Sequence, residues 1–317
     1  MNISRSFHAQ HSPMGAHSSF TLGMFGAEGG MALGKGGPAG GGVYVGYRTA
    51  SGKLFQFPFF KEEINEDMER FVQSDKKDRT ANIIFDEEAV SREYKWATDC
   101  FRAPGIAFSI ATPFFPIPDP SQASADELKF ACCPAIFLTL SIDNTSEEER
   151  EGFFALENEG QYWSPIPKSG PDGLKGFMSH DRIGFATQDE GMEFCDFNVE
   201  RALQREHTTP VFRLGSVAGI VFRVPAGERR EIHLALGGYL DGPATFNYAT
   251  RFWYTRHFAG LLDVLAYALE NRDRYLAEAA ARDTELAASG LSEEQQFLIA
   301  HATRSYYGST EWLTDGQ

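Results

Sequence analysis

Apolar and polar residues alternate along much of the chain up to about residue 245, as they do in β-strands. In segment 136–143, Ile, Leu, Leu and Ile occupy every second position. Because neighbouring side chains of a strand point to opposite faces, this period of two predicts a strand with two distinct faces. Segments 218–224 and 232–236 show the same pattern on either side of Val-Pro-Ala-Gly-Glu. That arrangement predicts a β-hairpin.

Other short segments resemble strands and are separated by Gly, Pro and Asn, without helical patterns between them. They are segments 18–22, 43–47, 53–57, 82–85, 90–98, 106–112, 152–157, 182–187 and 211–214. Many short strands of this kind predict a large antiparallel β-sandwich and argue against a parallel doubly wound sheet. Residues 23–42 are rich in glycine and have little to bury, so they are predicted to form a long loop or a crossing between strands.

After residue 246 the hydrophobic period becomes helical. Apolar residues at 258, 261, 262, 265, 266 and 269 lie on one face of a long helix, predicted to run to about residue 288. Ser292 and Gln295 form a capping box for a second helix, which runs through Tyr307 and ends at Gly308. The chain is therefore predicted to be mainly β with C-terminal helices. An antiparallel sandwich domain covers residues 1–245, and a helical linker covers residues 246–317.

Charge and hydropathy exclude several classes of partner. The 317 residues include 29 Lys and Arg and 44 Asp and Glu, which gives a formal net charge of −15. Because nucleic-acid binding requires a basic surface, we expect no nucleic-acid partner. No segment approaches the roughly 18 consecutive apolar residues of a membrane span. The N-terminus also lacks the apolar run of a secretory signal. We expect no membrane partner and a cytoplasmic location.

The sequence offers no pattern for a metal or a cofactor. The four cysteines lack the paired spacing of a zinc site, and buried thiols in a reducing compartment are the favoured interpretation. His8, His11 and His17 are not spaced as a recurring ligand set. The Gly-Lys-Gly-Gly sequence at 34–37 lacks the Ser or Thr and the context of a phosphate-binding loop. We therefore predict no metal and no cofactor.

Acidic pairs are the other candidate chemistry, because glycoside cleavage uses two carboxyl groups. The nearby pairs are Glu157 with Glu159 and Asp189 with Glu190, and Asp143 is a further candidate. The residues around Asp143 and Asp189 are typical of turns at strand ends. With 44 acidic residues, close pairs are expected by chance. Spacing alone therefore assigns no catalytic residue.

The second predicted helix carries ionisable residues where aliphatic ones are usual. Its inward stripe is predicted to contain Phe297, His301 and Arg304, followed by Ser305 or Gly308. One interpretation is an aromatic and cationic patch that contacts a sugar or a neighbouring domain. The other is a buried histidine with its hydrogen bonds satisfied, beside an arginine paired to a carboxylate. The second interpretation is favoured.

Several sequence strings together resemble bacterial β-xylosidases of glycoside hydrolase family 52. In chain order they are His11-Ser-Pro-Met-Gly-Ala-His-Ser-Ser-Phe-Thr-Leu-Gly23, Ala97-Thr-Asp99, Pro118-Asp-Pro120, Ala123-Ser124, Glu127-Leu-Lys129, Ile142-Asp-Asn-Thr145, Asp189-Glu-Gly191, Val224-Pro-Ala-Gly-Glu228, Tyr254-Thr-Arg256, Tyr267-Ala-Leu-Glu270 and Ala300-His-Ala-Thr-Arg-Ser-Tyr-Tyr-Gly308. No single string is specific. Their common order over nearly the whole chain argues against chance.

The resemblance implies an N-terminal β-sandwich and helical linker, followed in the family by an (α/α)6 barrel. Members of the family hydrolyse xylo-oligosaccharides with retention of configuration. The resemblance places the nucleophilic Glu and the acid/base Asp beyond residue 317, so no catalytic residue is carried over to this chain. We expect the N-terminal part of a xylan 1,4-β-xylosidase, truncated before the barrel and inactive by itself. Its substrate would be a xylo-oligosaccharide once the barrel is supplied.

The resemblance also indicates residues that contact sugar hydroxyls or support the sugar pocket. They are His11 and Ser12 on an early strand, and Arg304 and Tyr307 on the last helix. Polar groups beside aromatic faces suit a sugar. The helices are expected to leave apolar faces uncovered, which would promote self-association.

An alternative is a stand-alone carbohydrate-binding or assembly module with an exposed aromatic platform. The candidate platforms are Tyr162-Trp163, Phe252-Trp253-Tyr254 and Trp312. A third possibility is an independent hydrolase that uses carboxylates of the sandwich.

Overall fold

Two large β-sheets enclose the main hydrophobic core of the chain. A computed structural model describes residues 7–24, 26–34, 39–61, 82–158, 161–171, 173–197, 202–203, 214–244 and 249–314. One sheet has eight strands in the order β12-β13-β14-β17-β10-β9-β8-β7, and the other has six in the order β15-β16-β11-β4-β5-β6. Strands β1, β2 and β3 form a third, smaller sheet. The predicted β-sandwich with C-terminal helices is confirmed.

The strands are short, and nearly all of their pairings are antiparallel. Their bounds are β1 Gln10–His11, β2 Ser18–Thr21, β3 Gly30–Leu33, β4 Val43–Thr49, β5 Leu54–Gln56, β6 Asn82–Ile84, β7 Ser91–Tyr94, β8 Thr98–Ala103, β9 Ile106–Ala111, β10 Ala135–Asp143, β11 Arg150–Glu157, β12 Ser164–Pro165, β13 Lys175–Ser179, β14 Ile183–Thr187, β15 Met192–Asp196, β16 Val217–Val224 and β17 Arg229–Gly238. Strands β5 and β6 pair in parallel.

Strand β10 shows how the alternating pattern divides the two faces of the larger sheet. Ile136, Leu138, Leu140 and Ile142 belong to the core between the two sheets. Phe137 points the other way and packs with the helices in a second core. The period of two in the sequence therefore separates a face that contacts the other sheet from a face that contacts helices.

The predicted hairpin of β16 and β17 is wrong. Strand β16 pairs with β11 and β15, whereas β17 pairs with β10 and β14 in the other sheet. The intervening turn carries the chain from one sheet to the other. The side-chain Nδ2 of Asn144 donates to the carbonyls of Val224 (2.8 Å) and Pro225 (3.0 Å), which holds this corner. Alternation predicted the strands, but it contains no information about which distant strand each one pairs with.

The glycine-rich segment is more ordered than the predicted loop, because it contains strand β3, which pairs with β2. Close packing explains part of its composition. A Cβ atom at Gly41 would lie 2.3 Å from the carbonyl oxygen of Glu157. The amide of Gly29 donates to the carbonyl of Gly41 (2.8 Å). Residues 25 and 35–38 lie outside the described residues.

The helices are α1 Ala125–Ala131, a 3-10 helix Trp253–Arg256, α2 Leu261–Glu270, α3 Arg272–Ala287 and α4 Glu293–Gly308. The single long helix predicted after residue 258 is thus divided in two. Asn271 interrupts it with φ −102° and ψ 10°, and its side chain donates to the carbonyl of Tyr267 (2.9 Å). Asparagine favours such breaks because its side chain competes for backbone hydrogen bonds.

The predicted start of the last helix is confirmed. Ser292 Oγ accepts from the amide of Gln295 (3.3 Å), and Gln295 Oε1 accepts from the amide of Ser292 (3.0 Å). These two bonds form a capping box, which satisfies amides that have no partner within the helix.

Helix α2 packs on the outer face of the eight-stranded sheet, where glycine lets it approach closely. A Cβ atom at Gly237 would lie 3.1 Å from Leu265 Cδ2 and 3.2 Å from Val264 Cγ1. Among the described residues, no helix combines the length and apolar content needed to span a membrane. The predicted boundary between residues 245 and 246 falls in segment 245–248, outside the described residues, and stays a prediction.

Candidate functional site

Four polar side chains from distant parts of the sequence meet beneath the last helix. They are His11 on β1, Arg92 on β7, Asp99 on β8 and Arg304 on α4, and each is at most 3% exposed. We call them the His–Asp–Arg cluster. Strands β7 and β8 pair with Tyr94 opposite Asp99. Since residues two apart share a face of a strand, Arg92 and Asp99 project from the same face of the sheet.

Arg92 and Asp99 form a bidentate ion pair in the interior. Arg92 Nε donates to Asp99 Oδ1 (2.9 Å), and Arg92 Nη2 donates to Asp99 Oδ2 (2.6 Å). Burial by itself would raise the pKa of Asp99, but hydrogen bonds from Arg92 and His11 hold that pKa below its usual value. Arg92 Nη1 also donates to the carbonyl of Phe7 (2.6 Å), which ties the N-terminal segment to this pair.

The proton position of His11 follows from its partners. Arg304 Nη1 lies 2.8 Å from His11 Nδ1. Because a guanidinium can only donate, Nδ1 must be the acceptor, and the proton of the neutral ring is on Nε2. That atom lies 3.3 Å from Asp99 Oδ2. Burial lowers the pKa of His11 to about 4, so the ring is neutral at pH 7.

Arg304 connects the last helix to three separate segments of the sandwich. Besides His11, it donates from Nη1 to Thr112 Oγ1 (3.4 Å) and from Nη2 to the carbonyl of Lys95 (3.0 Å). Its Cζ lies 4.8 Å from the centroid of the Tyr94 ring. In the part of the chain that the structure describes, no carboxylate forms an ion pair with Arg304, so the expected pairing of this arginine is wrong there. Asp99 takes its bidentate bonds from Arg92 instead.

The structure brings two of the four predicted site residues into direct contact, namely His11 and Arg304. Ser12 is adjacent and 1% exposed. Tyr307 is half-buried on α4, and its ring centroid lies 5.1 Å from that of Phe114. His301 was expected on the inward stripe but is exposed.

Sequence reasoning missed Arg92 and Asp99. The available signal was weak. Asp99 is two residues before the buried Phe101 in β8, so both side chains lie on the buried face of the strand. Asp99 also belongs to the string Ala97-Thr-Asp99. A carboxylate on the buried face of a strand requires a cation nearby. The sequence does not show which of its many arginines supplies that cation.

Several buried polar atoms around the cluster have no hydrogen-bond partner within the described part of the chain. They include Ser12 Oγ, Tyr94 Oη and Arg304 Nε. Buried polar atoms are normally paired, so these atoms are exceptions to the usual pattern.

The segment that follows α4 covers the N-terminal segment beside this cluster. The amide of Trp312 donates to the carbonyl of Gly15 (2.9 Å), and the amide of His17 donates to the carbonyl of Thr310 (3.2 Å). Gly15 has φ +76°, and a Cβ atom there would lie 2.4 Å from the Trp312 ring. Glycine is therefore required at this crossing.

Two of the described acidic candidates, Asp189 and Glu157, have structural partners. Asp189 Oδ2 accepts from the amide of His233 (2.6 Å) and lies 2.9 Å from its Nδ1. Glu157 Oε2 accepts from the hydroxyl of Tyr44 (2.9 Å). Glu159 lies outside the described residues. No group of three or more potential ligands that could hold a metal ion occurs in the described ranges.

Comparison with known proteins identifies the family. The model of glycosyl hydrolase family 52 matches residues 20–317. The chain belongs to glycosyl hydrolase family 52. Its resemblance to that family, inferred above from strings of residues, is confirmed.

Two curated relatives, both from Geobacillus stearothermophilus and both called beta-xylosidase, align with nearly the whole chain. One is 34% identical over 319 residues, which cover 97% of this chain and 45% of the relative. The other is 31% identical over 325 residues, which cover 97% of this chain and 52% of the relative. The chain therefore spans about half the length of the curated relatives it matches.

Proposed function

We propose that this chain is the β-sandwich and helical-linker part of a retaining β-xylosidase, and that it does not hydrolyse xylosides by itself. The extent of the match carries the proposal. Proteins called beta-xylosidase align with 97% of the chain, yet the aligned region is only 45% and 52% of their own lengths. The substrate of the whole enzyme would be a xylo-oligosaccharide.

The chemistry of retaining hydrolysis supports the inactivity of this part. Two carboxyl groups must flank the sugar about 5–5.5 Å apart, one as nucleophile and one as acid/base. Here Asp189 is bound by His233, and Glu157 by Tyr44. Both carboxylates already accept hydrogen bonds from the sandwich, which suits a structural role. The proposal is that the remainder of the whole enzyme supplies the catalytic pair, as the resemblance to the family implies.

We assign His11 and Arg304 to the support of the sugar pocket, because both are buried and bonded to each other. Ser12 lies beside them, and its hydroxyl has no hydrogen-bond partner among the described residues. Together with the half-buried Tyr307 it would line the same side of the sugar pocket. The cluster fixes the N-terminal segment and the last helix in one relative position.

The test is an assay with nitrophenyl β-xyloside. We expect no turnover from the chain alone, and turnover when the chain is fused to the C-terminal half of one of the Geobacillus relatives. The intact relative is the positive control, and its C-terminal half alone is the negative control. Turnover by the chain alone that is abolished by Asp189→Asn, or by another acidic substitution, would refute the proposal.

A second candidate is a stand-alone carbohydrate-binding module. It is favoured by the exposed Tyr162 and Phe197, whose ring centroids are 5.7 Å apart. Their planes are inclined at 78°, so they do not form one flat platform. Trp163, Phe252 and Tyr254 are each 1% exposed, which removes them as surface platforms. Binding of xylobiose without hydrolysis, lost in Tyr162→Ala, would establish this function instead.

We also infer a cytoplasmic location. The four cysteines are free thiols, and three of them are buried. Burial raises the pKa of Cys132 to about 12, so this thiol is poorly reactive. Unpaired cysteines are typical of reducing compartments. Fractionation of the native host with detection of the chain in the soluble cytoplasmic fraction would support this inference.

A further inference from the structure

The outer face of the last helix, α4, is exposed but carries no charge over most of its length. The inner face packs on the sandwich through the buried residues Ala300, Arg304 and Gly308. The outer face is formed by exposed residues spaced i, i+4, i+7 and i+8, which we call the outer stripe of α4: Leu298, Ala302, Ser305 and Tyr306. His301, at the edge of this stripe, stacks on Phe297 with ring centroids 5.7 Å apart.

The composition of α4 differs from that of the helix before it. The face of a helix that meets solvent normally carries charged side chains, as in α3, where seven of the 16 residues are charged. Residues 295–310 contain no Asp, Glu or Lys, and their one arginine is the buried Arg304. The chain as a whole is 23% charged. The outer stripe therefore has the composition of a buried helix face, although Leu298 and Tyr306 are 64% and 68% exposed.

The length of the curated relatives indicates what covers this stripe. The chain aligns with only 45% and 52% of their lengths, so about half of such an enzyme is not included in it. The resemblance to the family implies that this remaining half follows α4 along the chain. Because α4 is the last helix of the described residues, its outer face is within reach of a part that follows it.

The side chains of the stripe restrict the surface that can cover them. A charged surface would lose its hydration there without gaining a counter-charge, which is unfavourable. Ala302 and Ser305 are small, so a packed element can approach the helix closely between Leu298 and Tyr306. The hydroxyl of Tyr306 would need a hydrogen-bond partner once it is covered. The matching surface is thus mainly apolar, with a polar group opposite Tyr306.

We propose that the outer stripe of α4 docks the remaining half of the whole enzyme through a mainly apolar, uncharged surface of that half. This inference rests on the proposed function and adds the surface at which the two halves meet. The helix that Arg304 fixes to the sandwich is then covered on both sides. In the chain alone the stripe is uncovered, so a second copy of the chain can occupy it.

Cysteine labelling measures directly whether the stripe is covered. Ala302→Cys introduces a thiol on the outer stripe, and Ala281→Cys introduces one at an exposed position of α3 as the matched control. Both are small changes at exposed helix positions, so the fold should be unchanged. Each variant is made in the 317-residue chain and in its fusion to the C-terminal half of one of the Geobacillus relatives. The parent proteins, without the introduced thiol, give the background rate from the native cysteines.

We expect the thiol of Ala302→Cys to react with a maleimide at least about ten-fold more slowly in the fusion than in the dilute chain alone, since labelling then requires local separation of the halves. The thiol of Ala281→Cys should react equally fast in both proteins. Turnover of nitrophenyl β-xyloside by the same fusion tests the proposed function separately. Protection of Ala302→Cys in an inactive fusion would support the docking surface and count against the proposed function.

Three results would overturn the docking surface. In an active fusion, equal labelling of Ala302→Cys and Ala281→Cys would reject the surface and leave the proposed function standing. In an inactive fusion, the same labelling would count against both. If labelling of Ala302→Cys slows only as the concentration of the chain alone rises, and not in the fusion, the stripe binds a second copy instead.

Discussion

The buried ion pair of Arg92 and Asp99 leads to a strong prediction about stability. The substitution Asp99→Asn preserves the shape of the side chain but removes its charge. An amide nitrogen then faces a guanidinium that can only donate, so one of the bonds at 2.6 and 2.9 Å is lost. The buried charges of Arg92 and Arg304 are left without a carboxylate in the cluster.

The expected loss of stability is large. Removing one partner of a buried ion pair costs about 3–5 kcal/mol, because the remaining charge stays in the interior. Domains have a total free energy of unfolding of only about 5–15 kcal/mol. Asp99→Asn is therefore expected to remove a major part of the stability of this chain.

The assay is equilibrium unfolding in urea, followed by tryptophan fluorescence. The matched control is Asp241→Asn, because Asp241 pairs with Arg251 at 3.2 Å while the two side chains are 60% and 62% exposed. An exposed pair contributes about 0–1 kcal/mol, so the control should unfold almost as the unaltered chain does. A loss below about 1 kcal/mol in Asp99→Asn, equal to that of the control, would refute the buried ion pair.

A double substitution separates loss of charge pairing from general disruption. Adding Arg92→Met to Asp99→Asn removes the unpaired cation, so part of the lost stability should return. If the losses of unfolding free energy in Asp99→Asn and in Arg92→Met simply add in the double variant, the two side chains do not interact as the structure describes.

Three further predictions concern the pH profile, a close contact and the last helix. Burial lowers the pKa of His11 from 6.5 to about 4, so between those values the unfolded chain binds a proton that the folded chain does not. Urea unfolding should show stability falling as the pH decreases through this window, by up to about 3 kcal/mol, and His11→Asn should flatten the profile. Gly15→Ala should cost about 2–4 kcal/mol in thermal unfolding, because φ is +76° and the new Cβ would contact the Trp312 ring. Leu298 and Tyr306 are 64% and 68% exposed on α4, so we expect the chain to self-associate in light scattering. The double substitution Leu298→Glu and Tyr306→Glu should reduce this association. A monomer before substitution would contradict the prediction.

Local patterns in the sequence were sufficient for much of the secondary structure. The alternation in segment 136–143 predicted both faces of β10, and Ser292 with Gln295 predicted the start of α4. These signals were reliable because each depends on residues a few positions apart. The same approach missed the break at Asn271, where a single polar side chain interrupts an otherwise continuous apolar stripe.

The candidate site was less accessible to sequence reasoning than the strands and helices. His11 and Arg304 were selected from strings that resemble the family, and the structure places them 2.8 Å apart. Arg92 was not selected because it lies in none of those strings, and Asp99 was not selected because its three-residue string gave no sign of a buried ion pair. A buried charge is recognised by its partner, and that partner is distant along the chain.

The amino-acid sequence alone was enough to establish the class of fold, the family and the order of the two kinds of secondary structure, because local periodicity and collinear motifs are properties of the chain itself. Only the tertiary structure decided that β16 and β17 belong to different sheets, and that Asp99 pairs with Arg92 rather than with Arg304. Strand pairing and buried ion pairs depend on contacts between residues that are far apart in the sequence. In the interior, away from water, a polar group must find its hydrogen-bond partners within the protein.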